Sequence, residues 1–278
     1  ERLRRVEEER AEQVRVGFIE TAVSRAIFKA CRKAFLLRKV QFILAESQIG
    51  KTTAAREYAR RHNHGETRYV RMPTGGALTL FLRELAAVLG IPPTNSCEDL
   101  RRRIFACFDE RTLLIVDEAH EGTLKALNFA REVHDRCGCG VVFLATKVFA
   151  DRLRGPEARN LRQLALRGLA PLELPDRPGL KDLARFAAAY GLDPAPDQEI
   201  GIRVTSLEAD GEERTRVIQN NPARLQAQII RDYGLGRWHV ILQEAAETSR
   251  EKRRAMSWGL VLHAWHSFQQ LSQFEEAA

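Results

Sequence analysis

The feature that most constrains this chain is the stretch Ala45-Glu46-Ser47-Gln48-Ile49-Gly50-Lys51-Thr52. It follows the apolar run Val40–Leu44 and opens a helical pattern at Thr52–Arg61. A loop held between a buried strand and a helix aims successive backbone N–H groups and a helix N-terminus at one point, which makes a positive nest for phosphate. In such a nest Gly50 lets the backbone approach the phosphates, Lys51 reaches the β- and γ-phosphates, and the Thr52 hydroxyl ligates Mg²⁺. Glu46, Ser47, Gln48, Ile49 and Thr53 complete the stretch expected to bind nucleotide, so ATP and Mg²⁺ are the expected cofactors. Ala45 stands where the strict pattern has glycine, the residue most tolerant of unusual backbone angles.

A second motif answers the first. The run Leu113-Leu114-Ile115-Val116 ends in Asp117-Glu118-Ala119-His120. Apolar β-formers ending in two acids place both carboxylates at the C-terminal edge of a sheet, where α/β proteins bind ligands. Asp117 is expected to hold the Mg²⁺ hydration shell and Glu118 to polarise an attacking water. Thr146, which ends the run Val141–Ala145, either orients that water or simply caps the strand end. Both readings stay open.

Five short apolar runs have the character of buried parallel strands: Val40–Leu44, Arg68–Met72, Thr112–Val116, Val141–Ala145 and Pro171–Leu174. Helical patterns fall between them, at Thr52–Arg61, Leu78–Leu89, Cys97–Phe108, Leu124–Cys137 and Phe149–Leu166. The alternation predicts an α/β fold with an open, mostly parallel sheet. After Leu174 the breaker cluster Pro175-Asp176-Arg177-Pro178-Gly179 marks a change, and no further strand is expected. Helices are expected at Leu180–Tyr190, Asp197–Ala209, Glu212–Ile218 and Ala223–Tyr233, the last with Asn221 as N-cap and Pro222 in the first turn. The expected domains are an N-terminal helical segment (1–38), an ATPase core (39–175), a small all-helical lid (176–245) and a helical tail (246–278). In the tail Trp258, Leu262 and Trp265 read as packing residues.

Composition adds limits. No window approaches the roughly 18 uninterrupted apolar residues that a spanning helix needs. The charged start, Glu1–Arg10, is unlike a signal peptide, and without a starting Met the chain is compatible with a domain preceding it. The five cysteines are irregularly spaced and lack zinc-site pairing, which suggests reduced thiols in a cytoplasmic protein. A net charge of +7 suits a polyanion partner. The run Arg101-Arg102-Arg103 reads as a solvated turn, since three consecutive residues cannot share one helix face.

With the phosphate loop, the Asp117-Glu118 strand end and Thr146 identified, the chain resembles the AAA+ ATPases. Within that class it is similar to the MuB/TnsC-type transposition ATPases. The D-E-A-H text and the segment Leu124–Gly140, with Leu127, Arg131, Val133, His134 and Asp135, contribute to the likeness, which covers about residues 20–235. The resemblance implies a P-loop AAA+ five-stranded parallel sheet with helices on both faces and a small C-terminal all-helical lid. It implies an arginine finger supplied by a neighbouring subunit, with Arg162 and Arg167 as candidates and Arg159 as a weaker third. It also implies a sensor arginine from the lid, where Arg224 in Asn221-Pro222-Ala223-Arg224 matches the position without the usual glycine. DNA contacts would come from the region after the second strand, at Arg71, Thr74 and Arg83, with little base specificity.

The implied activity is ATP-driven assembly into rings or helical filaments on double-stranded DNA, with recruitment of a transposase. Hydrolysis, slow and dependent on subunit contact, would drive disassembly. Relatives can carry an N-terminal DNA-binding extension, which this chain is expected to lack or to have lost. Two other functions stay open: a helicase-loader-like ATPase that prefers single strands, and a nucleotide-gated signalling or defence switch. The switch is disfavoured because core, lid and tail leave no effector domain.

Overall fold

The computed structural model describes residues 16–94, 96–154, 168–207 and 213–276. They form two compact units, one of residues 22–176 and one of 16–21 with the chain from Arg177 onward.

The first unit runs α1 (Ala22–Leu37), β1 (Val40–Leu44), α2 (Lys51–Arg61), β2 (Thr67–Arg71), α3 (Leu78–Val88), α4 (Cys97–Phe105), β3 (Leu113–Asp117), α5 (Leu124–Cys137), β4 (Gly140–Ala145), α6 (Val148–Arg154) and β5 (Leu172–Glu173). The strands make one five-stranded sheet in the order β2-β3-β4-β1-β5, and every pairing is parallel. β1, β3 and β4 are buried along their whole length, which is why they read as continuous apolar runs.

Period-two alternation then sorts their side chains between two cores. Val40, Phe42, Leu44, Leu114, Val116, Val141 and Phe143 meet α3, α4, α5 and α6 on one face. Ile43, Leu113, Ile115, Val142 and Leu144 meet α1 and α2 on the other. Asp117 continues the Leu113–Ile115 parity, so its carboxylate falls on the face that carries α2. Gln41 is the polar exception in β1; its Nε2 donates to the carbonyls of Phe42 and Ala170, which satisfies it inside the sheet.

Helix ends follow their local chemistry. Ser96 and Thr123 are N-caps, accepting from Asp99 N and Ala126 N, and Gly138 ends α5 in the left-handed region.

The second unit holds α7 (Leu180–Ala189), β6 (Ile200–Leu207), β7 (Glu213–Asn220), α8 (Pro222–Glu251) and α9 (Trp258–Glu276). Trp238, Trp258, Leu262 and Trp265 lie buried in its core, and Trp238 stacks on Trp258 at 6.0 Å. This confirms the packing role expected for the tail aromatics. α8 is broken at Gly234 (φ 77, ψ 178).

One expectation is corrected here: the C-terminal part is mainly helical, but it is not all-helical. Segments 197–209 and 212–218, expected as helices, contribute instead to an antiparallel hairpin that pairs Ile202 with Ile218 and Thr205 with Thr215. Ile200 and Val204 are four residues apart and so mimic a helix face. The β-branched content favours paired strands, and cross-strand contacts decide the outcome.

Candidate functional site

The chain leaves β1 at Ala45, turns through residues 46–50 and begins α2 at Lys51. Gln48 (φ 60) and Gly50 (φ 96) both take left-handed backbone angles. A Cβ at Gly50 would have nothing within 4 Å, so the space over the helix N-terminus is open. Ala45 does not have a positive φ. Its N–H donates to Ala145 O at 3.2 Å, and its carbonyl accepts from Lys51 Nζ at 2.8 Å. The missing glycine is therefore tolerated for a physical reason: the conformational freedom is needed at Gln48 and Gly50, not at Ala45.

Lys51 is only 6% exposed, and its ammonium also donates to Glu46 O at 2.6 Å. Burial pushes its proton affinity below the ordinary lysine value, against the opposing pull of Glu118, Asp117 and Glu46. Those three carboxylates thus act on the same cation through space. Asp117 is fully buried; its Oδ2 accepts from Tyr69 OH at 2.7 Å and its Oδ1 from Glu118 N at 2.9 Å. Burial and the contact with Asp117 push the Tyr69 phenol up, so Tyr69 is the donor.

Glu118 itself sits in the left-handed region (φ 53, ψ 38), an uncommon conformation for a residue with a side chain. Its Oε2 lies 3.4 Å from His120 Nε2, and Glu121 Oε1 lies 3.6 Å from the same nitrogen. The turn is braced from behind: Arg152 in α6 donates to the carbonyls of His120 and Gly122. Gly76 O accepts from both Thr123 N and Thr123 Oγ1. Thr146 follows β4, the strand between β1 and β3, so it stands between the phosphate loop and the Asp117 strand end.

The fold therefore brings Glu46, Lys51, Thr52, Asp117, Glu118 and Thr146 to one edge of the sheet. Glu46, Ser47, Gln48 and Thr53 are exposed around them, and Ile49 is buried as the loop's anchor. These residues fit a magnesium nucleotide: an open helix N-terminus and a desolvated ammonium suit phosphate, while a hydroxyl and a carboxylate offer hard oxygen donors. Arg71, Thr74 and Arg83 are all exposed, at the end of β2, in the following loop and on α3. Arg224 belongs to the second unit, in the first turn of α8, where its N–H donates to the N-cap Asn221 Oδ1 at 3.0 Å. Arg159, Arg162 and Arg167 lie outside the described residues. Sequence reasoning missed Tyr69, Arg56, Gly76 and Arg152. Only Tyr69 left a faint signal, a lone aromatic hydroxyl two residues before a strand end.

An open parallel sheet with a phosphate loop after its first strand, and paired acids at the end of the strand beyond its neighbour, defines a fold of the P-loop ATPase type. Residues 37–153 match the AAA domain family, and the chain is similar to the MuB-type transposition proteins. It is 32% identical over 141 residues to the Mu-like prophage FluMu DNA transposition protein B of Haemophilus influenzae. That alignment takes in 50% of this chain and 49% of the relative, so the chain spans about half the length of the curated relative it matches. Among solved structures, Cdc6p from Pyrobaculum aerophilum aligns with a TM-score of 0.55 and 14% identity, over 86% of this chain and 65% of that one. At such identity the likeness concerns the fold alone. A RuvB variant from Thermotoga maritima aligns at a TM-score of 0.49 and 14% identity, over 88% and 68% of the two chains. Among the described residues no helix is long and apolar enough to cross a membrane.

Proposed function

We propose that this chain is an ATP-dependent regulator of DNA transposition that binds duplex DNA with little sequence preference, assembles into rings or filaments and recruits a transposase. The observation that carries the reading is the convergence of Lys51, Asp117 and Glu118 at one sheet edge, in a chain similar to a DNA transposition protein.

The residues divide the work as follows. The backbone of 46–53 and the N-terminus of α2 would hold the phosphates, with the Lys51 ammonium already stripped of water and ready to face them. Thr52 and Asp117 would hold Mg²⁺, which supplies neutralisation of the phosphate oxygens when bound. Glu118 would orient and deprotonate the attacking water, with Thr146 on the neighbouring strand end as a second positioning group. Arg162 or Arg167 of a neighbouring copy and Arg224 of the second unit would offset charge at the γ-phosphate. Arg71, Thr74 and Arg83 would contact DNA phosphates, so binding should weaken steeply with salt. Hydrolysis would disassemble the filament.

The test is duplex-DNA binding and assembly size, by fluorescence anisotropy and negative-stain microscopy. Samples contain ATP, a non-hydrolysable analogue or no nucleotide, with Lys51→Ala alongside. Nucleotide-dependent rings or filaments on duplex DNA, absent in Lys51→Ala, support the proposal. A monomer that binds ATP and ignores duplex DNA overturns it, and preference for single strands would favour a helicase-loader role.

A further inference from the structure

We propose that Tyr69, assisted by Arg56, is a positioning residue that fixes the Asp117 carboxylate for Mg²⁺. The inference rests on the reading above that Asp117 serves the metal of a bound nucleotide.

Asp117 is inaccessible to solvent, and a buried carboxylate must be held by donors or it reorients or takes up a proton. Two donors hold it in place. Glu118 N occupies Oδ1, a bond between adjacent residues made at the backbone turn. Tyr69 OH occupies Oδ2 from a different strand, so that bond depends on a side chain this sequence chose. The pairing of β2 with β3 sets Tyr69 beside Ile115 and Arg71 beside Asp117. The phenol therefore reaches along the strands, by one side-chain spacing, to meet the carboxylate. Phenylalanine would fill the same apolar surface between β2 and the α1/α2 face, which leaves the hydroxyl without a packing explanation.

The hydroxyl is itself oriented. Arg56 Nε donates to Tyr69 OH at 3.3 Å, and the guanidinium lies 5.6 Å from the ring centroid. With its oxygen accepting from Arg56, the phenol has its single proton directed to Asp117. Arg56 lies four residues after Thr52 in α2, so the two share a helix face. The relay Arg56–Tyr69–Asp117 thus ties the helix that carries the magnesium-binding hydroxyl to the strand that carries the carboxylate. A carboxylate with a donor on each oxygen presents its remaining lone pairs in fixed directions. Outer partners of this kind typically change metal affinity by about 10- to 100-fold when removed.

The experiment uses the full chain and fluorescent methylanthraniloyl-ATP, titrated with MgCl₂ and, separately, in excess EDTA. Tyr69→Phe should raise the Mg²⁺ concentration at half-saturation by about tenfold. Nucleotide binding in EDTA should stay within about twofold of wild type, as expected if only metal coupling has changed. Arg56→Gln should raise the Mg²⁺ half-saturation by a smaller factor, about threefold, because it only loosens the phenol. A purely structural role predicts something different: a lower Tm and weaker nucleotide binding in both conditions, with an unmoved Mg²⁺ midpoint. That pattern overturns the inference, as does a Tyr69→Phe titration that overlays wild type. If wild type itself shows no Mg²⁺-dependent nucleotide binding, the ATPase reading falls and this inference falls with it.

Discussion

Gly76 offers the most direct test of how the Asp117-Glu118 turn is supported. It lies in the loop after β2 with φ +33, and a Cβ there would sit 2.0 Å from Glu121 O and 2.5 Å from Gly122 Cα. Both are backbone atoms, so no side chain can swing aside. Gly76→Ala must therefore push the two loops apart by more than an ångström, which strips Thr123 N (3.1 Å) and Thr123 Oγ1 (2.9 Å) from Gly76 O. Left-handed strain costs about 1–2 kcal/mol and each lost hydrogen bond about 1 kcal/mol, which together make roughly 3–4 kcal/mol. For a unit of this size that is a fall in Tm of roughly 6–16 °C.

Gly75→Ala is the matched control. Gly75 also has a positive φ (+74), but nothing lies within 4 Å of its Cβ position. Strain alone then predicts a loss of roughly 1–2 kcal/mol, or about 2–8 °C. Thermal unfolding by far-UV circular dichroism, run on both variants and wild type, separates strain from backbone collision. If Gly76→Ala is no less stable than Gly75→Ala, the close approach of the two loops is refuted. Because the displaced Glu121–Gly122 backbone adjoins Glu118, ATP turnover in Gly76→Ala should fall further than ATP binding does.

Other expectations follow from the same geometry. Glu118→Gln should keep nucleotide binding but lower turnover by about 10²-fold or more in a steady-state phosphate-release assay; an unchanged rate would remove Glu118 from the chemistry. Phe42 is 1% exposed and stacked on Phe143 at 5.1 Å and Phe149 at 6.0 Å. Phe42→Ala should cost about 3–5 kcal/mol in urea unfolding, and a loss under about 1 kcal/mol would contradict the packing described. Burial lowers the proton affinity of His239, whose Nδ1 lies 3.3 Å from Tyr190 OH. The unfolded chain therefore binds this proton more readily than the folded one. The stability His239 contributes is present above the unfolded value near 6.5 and is lost as pH falls through that value toward the lower folded one. Denaturation at about pH 7.5 and about pH 5.5 should show a smaller acid loss in His239→Gln than in wild type, with His263 still contributing in both.

The amino-acid sequence by itself determined the strand–loop–helix at Ala45–Thr53, the buried parallel strands and the acids that end β3. These are local: an uninterrupted apolar run, a helix period and a glycine before a lysine each carry their meaning within about ten residues. Parity along β3 even places Asp117 on the same face as Leu113 and Ile115 once the strand is recognised. Tertiary structure alone decided the hairpin of β6 and β7, because Ile200 and Val204 satisfy a helix face and a strand edge equally well until Ile202 finds Ile218. It decided that Tyr69 meets Asp117 across 48 residues of sequence, which depends on strand register. It decided that Gly76 abuts Glu121, which depends on two loops closing at the same sheet edge. Contacts between distant segments are set by how elements stack and in what register, and no short-range periodicity encodes that choice.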